Sequence, residues 1–167
     1  MAIVRSIAAW NRARRSSGAI HQAEAADNYD DASERSRDHL GRWQDLPDSH
    51  LLDNEYSLSH LAAQGIHYYL PAVMSFASRH PTAHERDHSL TESLEYTLQP
   101  SGRDLRGYQE TRFSRLDREQ RAAIYAFTRV AGHAEAAAAW SRVFEAELEA
   151  GRDAWFELFN PGAAPVE

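Results

Sequence analysis

Ser57–Arg79 reads SLSHLAAQGIHYYLPAVMSFASR, and this stretch decides the fold class. Leu58, Leu61, Ala62, Ile66, Tyr69, Leu70, Val73 and Phe76 recur at steps of three and four, the period of one apolar face on an α-helix. Pro71 falls inside the run. A proline there has no N–H to donate and crowds the preceding turn, so the sequence predicts a helix kinked or divided at Pro71. Pro81 closes the segment.

The same period continues outward in both directions. On the N-terminal side, Ile3, Ile7 and Trp10 suggest a first helix to about Arg15, stopped by Ser16-Ser17-Gly18. Ala19 to Ala26 reads as further helix. The acidic start at Asp27, Asp30 and Asp31 suits a helix running to about Trp43. Pro47 ends that helix, and Asp48 to Glu55 reads as a loop. On the C-terminal side a shorter helix spans about Leu90 to Leu98. Pro100-Ser101-Gly102 stops it, and a loop containing Gly102 and Gly107 follows. Asp117 is placed to cap a helix to about Ala131, with Ala123, Ile124, Phe127 and Val130 on its apolar face. Gly132 separates it from a last helix, Ala134 to about Phe159, which could pack within the chain or against a second copy as a homodimer. Strand-like alternation is scarce. The expectation is an all-α, single-domain bundle of about five to seven helices over residues 1–160, with a disordered tail at 161–167.

Composition narrows the chemistry. The 167 residues carry no cysteine, which removes disulfides, thiolate metal sites and cysteine nucleophiles together. They carry no lysine either, so Schiff-base chemistry and a phosphate-loop lysine are unavailable. A formal net charge of −7 disfavours nucleic acid as a partner and suits a basic protein. No apolar run is long enough for a membrane span, and the start lacks the apolar core of a signal peptide. These features suit a cytoplasmic protein.

The sharpest chemical motif is His84-Glu85-Arg86-Asp87-His88, a literal H-E-x-x-H. On a helix, His84 and His88 would share one face and could hold zinc, with Glu85 as the general base for water attack. Its setting is unlike that of a catalytic helix. Arg86 and Asp87 fill the gap where a buried helix would carry apolar residues, Pro81 and Thr82 weaken any helix reaching back to His80, and no third histidine follows. The bland reading is a solvated, histidine-rich connector. Asp27, Asp30, Asp31, Glu34 and Asp38 lack the spacing and glycine of a calcium loop and read as a solvated helix start. No nucleophile elbow and no glycine-rich phosphate loop occurs.

Two stretches, Leu40-Gly41-Arg42-Trp43-Gln44-Asp45-Leu46 and Tyr68-Tyr69-Leu70-Pro71-Ala72, together with Phe113 to Phe127, resemble an uncharacterised family of small bacterial proteins. Its members carry a G-(basic)-x-W-x-(acid)-L stretch and a helix with Y-Y-L-P-A. The resemblance spans about His39 to Val130 and implies no catalytic residue. Physically, Trp43, Tyr68, Tyr69 and Pro71 look like core anchors, a large aromatic packed against a kinked helix. The other reading makes them a binding surface around the kink. Three functions therefore compete. The first is a non-catalytic binding protein without a cofactor, such as an immunity or antitoxin-like protein that blocks a partner. The second is a zinc-dependent hydrolase using Glu85, His84 and His88. The third is a small-ligand-binding helical module.

Overall fold

A computed structural model describes residues 38–80, 88–99 and 106–141, together with Trp10 and Ile20. Among these residues every regular element is helical, so the fold is all-α. The α-helices are α1 (Asp48–Leu52), α2 (Ala63–Arg79), α3 (His88–Leu98), α4 (Arg106–Phe113) and α5 (Arg118–Ala131), followed by α6, described over 134–141. Two 3-10 turns, Trp43–Asp45 and Ser57–His60, flank α1. The expected helices before Asp38, the rest of the last helix and the tail at 161–167 lie outside the described residues.

The centre of the fold is α2, which packs against both 3-10 turns, α3 and α4. From Tyr68 to Met74 every residue is buried, as are Ile66 and Phe76. A helix apolar on one stripe covers a core, whereas one buried all round is surrounded by it. The middle of α2 is of the second kind. Burying each of its larger aliphatic side chains stabilises the fold by roughly 1.5–3 kcal/mol. Pro71 does not divide the helix, which runs unbroken from Ala63 to Arg79. The proline leaves the His67 carbonyl without its usual helical donor, a loss that the packing around α2 outweighs.

Several boundaries differ from the sequence expectation. The stripe beginning at Leu58 enters a 3-10 turn and then an extended break, with Leu61 and Ala62 at extended ψ, before α2 starts. Leu58 and Leu61 are buried all the same, but Ala62 is exposed. Residues 38–42 are not helical, and Trp43 sits in a 3-10 turn. The expected loop after Pro47 contains α1. Here Pro47 sets the entry angle at φ −65°. Asp48 lies at the positive helix end, the Asn54 side chain donates to the His50 carbonyl at 2.7 Å, and Leu51 is driven into the core. So short a helix has no stability of its own and depends on that anchoring. The expected loop at Gly107 is likewise helical, inside α4.

The Asp117 start stands as expected. Its carboxylate accepts from the Gln120 N–H at 2.9 Å, and the Gln120 side-chain oxygen accepts from the Asp117 N–H at 3.0 Å. This reciprocal capping box satisfies two amides that a helix start leaves open. At the other end Gly132 adopts φ +80°, a left-handed conformation that glycine takes without a Cβ clash. Of the expected apolar face, Ala123, Ile124 and Phe127 are buried, but Val130 is exposed. The buried apolar side chains form one continuous cluster, from Trp10 to Trp140.

Long polar side chains join the helices by reaching main-chain carbonyls. The Trp140 indole N–H donates to the Leu98 carbonyl at the end of α3, 3.1 Å away, and the Gln109 amide donates to the Gln99 carbonyl at 3.1 Å. Trp140 also meets Phe113 edge-on at 5.7 Å. These bonds close carbonyls that a helix end leaves without partners.

Candidate functional site

Trp43, Tyr68, Tyr69 and Pro71 come together through α2 and the loop before it, and all four are buried. The Trp43 indole N–H donates to the Trp10 carbonyl at 3.0 Å. Tyr68 and Tyr69, adjacent on α2, meet edge to face at 4.9 Å, and Tyr69 lies parallel to the His50 ring at 6.1 Å. Their polar ends are engaged inside the fold.

The Tyr68 hydroxyl is 2.9 Å from the Gly41 carbonyl and 2.7 Å from His39 Nδ1. A hydroxyl has one proton to give. If Tyr68 donates to Gly41, His39 must carry its proton on Nδ1 and donate to Tyr68; the 3.3 Å approach of the Gly41 N–H to the same nitrogen is then not a hydrogen bond. Gly41 allows this arrangement, because a Cβ there would stand 2.6 Å from His39 Cε1. Burial, reinforced by the negative charge of Asp45, pushes the Tyr68 phenol up to about 12. Burial raises Tyr69 further, although a hydrogen bond from the Ile20 main chain opposes the shift. Both phenols therefore stay neutral at ordinary pH, so neither is poised as a base or nucleophile.

Other polar groups that the sequence reading passed over are also built into the framework. Gln120, already bonded through its oxygen to the Asp117 N–H, places its Nε2 3.0 Å from His67 Nε2, linking α5 to α2. Burial holds the His67 pKa below its usual value, against the pull of Asp117. Arg112, on α4, is only 2% exposed. Its Nε donates to the Leu61 carbonyl at 3.0 Å, and its Nη2 donates to the Leu58 carbonyl. The guanidinium thereby clamps the turn Ser57–His60 and the break after it.

Around that same turn the surface changes character. Tyr56, Tyr96 and Tyr108 are 66%, 54% and 44% exposed. Tyr56 is the N-cap residue of the turn, the Tyr108 hydroxyl donates to the Ser59 carbonyl at 2.7 Å, and Tyr96 belongs to α3, which packs on the turn. The Arg112 guanidinium lies 5.1 Å from the Tyr108 ring centre, and both Tyr108 and Tyr96 act on its charge. Tyr108 is thus fixed at its ring and its hydroxyl. Tyr56 and Tyr96 make no side-chain hydrogen bond or ring stack among the described residues.

The sequence reading singled out none of these three, although one carries a local signal. Leu90, Leu94 and Leu98 define the inward face of α3, which leaves Tyr96 pointing away. Tyr108 was concealed in an expected loop, and no local pattern marks Tyr56. Of the H-e-x-x-H residues, His84 and Glu85 lie outside the described residues, and His88 opens α3. Among the described residues no three histidine, aspartate or glutamate side chains are grouped to hold a metal ion, and no helix is long and apolar enough to cross a membrane.

No curated protein and no solved structure matches the chain. A family model matches residues 3–150, nearly the whole of the sequence, and takes in all the segments that carried the resemblance noted above. The chain belongs to a family of unknown function, DUF6714.

Proposed function

We propose that this chain is a non-catalytic binding protein that docks a partner protein against the surface formed by Tyr56, Tyr96 and Tyr108. The observation that carries this reading is the exposure of three tyrosines around one clamped turn, while Tyr68 and Tyr69 are buried. Tyrosine combines a large apolar ring with a polar tip and loses little side-chain entropy on binding, which is why it anchors protein interfaces. A rigid support reduces the cost of ordering, and Arg112 supplies it. The acidic balance of the chain favours an immunity- or antitoxin-like role, in which a basic partner is bound and blocked.

The test is co-expression with the products of the neighbouring genes, followed by isolation of any complex. The expected result is a stoichiometric complex that the double substitution Tyr56→Ala, Tyr96→Ala dissociates while the chain stays folded. A complex indifferent to both substitutions, or none with any neighbour, would overturn the proposal. So would about one tightly held zinc per chain in untagged protein.

A further inference from the structure

The charges beside the tyrosines specify the partner further. Asp53 is exposed and Glu55 half-exposed, and both lie just before Tyr56 in the chain. Glu92 is exposed on α3, four residues before Tyr96, so the two share one face of that helix. Arg112 is buried, and its Nε and Nη2 donate to the Leu61 and Leu58 carbonyls. Tyr56 and Tyr96 are thus two exposed tyrosine rings, each with a carboxylate adjacent in sequence or one helical turn away.

We propose that this surface is a cation-reading one: it takes arginine- or lysine-bearing segments of the partner, with a guanidinium or ammonium group lying over Tyr56 or Tyr96 and paired with Glu55 or Glu92. The inference rests on the binding-protein reading above and adds the chemistry of what binds. A tyrosine face attracts a cation through its ring quadrupole, and an adjacent carboxylate adds attraction that salt screens. Arginine suits both at once, because its planar group can stack and donate hydrogen bonds together. Tyr108 does not take part as a reader, since Arg112 already lies against its ring; it walls the site.

The experiment uses the full chain, labelled for NMR, and a synthetic peptide alternating arginine with glycine and serine. A second peptide carries citrulline at every arginine, which keeps the length and planar shape of the side chain while replacing the charged guanidinium by a neutral urea with fewer N–H donors. The arginine peptide is expected to shift amide signals at residues 53–60 and 92–96. Its affinity should fall about ten-fold in the Tyr56→Ala, Tyr96→Ala chain. It should fall by a smaller factor in Glu55→Gln, Glu92→Gln, with a weaker dependence on salt. All four positions are at the surface, so unchanged melting temperatures would show that folding is intact. Equal binding of the citrulline peptide, shifts spread over the rest of the surface, or full affinity in the tyrosine variant would each overturn the inference. The two proposals fail separately. A partner complex that the tyrosine substitutions break, but that Glu55→Gln, Glu92→Gln and high salt leave intact, would keep the binding reading and discard the cationic partner.

Discussion

Two sets of tyrosines divide this molecule. Tyr68 and Tyr69 lie in the middle of α2, with ring against ring and hydroxyls engaged by Gly41, His39 and the Ile20 main chain. Tyr56, Tyr96 and Tyr108 stand around the turn Ser57–His60 with their rings in solvent. The inner pair stabilises the fold and has no capacity left for a ligand. In the outer set Tyr108 is tied to the turn through Ser59 and Arg112, whereas Tyr56 and Tyr96 keep exposed rings. The contrast shows that an aromatic-rich motif need not be the functional one. The Tyr-Tyr-Leu-Pro-Ala stretch is the most conspicuous feature of the sequence, yet its side chains face the protein itself.

The largest expected break in the comparison is Tyr69→Ala. Removing a fully buried ring should cost about 4 kcal/mol of stability in urea denaturation, whereas Tyr56→Ala should stay within about 0.5 kcal/mol. Similar losses at the two positions would abolish the distinction. Next is Arg112→Met, which keeps much of the side-chain volume but orphans the Leu58 and Leu61 carbonyls. It should cost about 3 kcal/mol and loosen the turn that carries the outer tyrosines. Amide exchange at residues 57–61 should therefore rise more than exchange within α5.

A third, gentler test uses pH. Tyr68 holds its proton in the folded chain up to about 12, against 10.0 for an ordinary phenol. Between those values the unfolded chain has lost a proton that the folded chain retains, so stability should fall as pH rises from about 10. Below that window the contribution is fully present. Tyr68→Phe should flatten this alkaline limb, as measured by urea denaturation at a series of pH values. A wild-type stability that stays level from pH 10 to 12 would remove the basis for calling Tyr68 buried and neutral.

How much of this was legible depended on the range of the interaction involved. The cap at Asp117 is local, and the helix start was read from that residue correctly; its Gln120 partner, three residues on, came from the structure. Gly132 is local too, so the C-terminus of α5 followed from the residues, and the helix expected over about Leu90 to Leu98 is found as α3, starting two residues earlier at His88. α1 and α4 were missed because neither carries a strong signal of its own. They are short and polar, held by Leu51 in the core and by Arg112, Phe113 and Gln109 reaching distant carbonyls and rings. The candidate site was missed for the same reason, since Tyr56, Tyr96 and Tyr108 lie far apart along the chain.

The amino-acid sequence alone determined that this chain is helical, that it belongs with a family of unknown function, and which chemistries its missing cysteines and lysines exclude. Periodicity and caps act over three or four residues, and composition acts over none, so both can be read in one dimension. Only the tertiary structure decided that α2 runs unbroken through Pro71, that Tyr68 and Tyr69 face inward, and that three other tyrosines gather around one turn. Those outcomes depend on which helix lies beside which, and burial is a property of neighbours that the chain brings together only by folding.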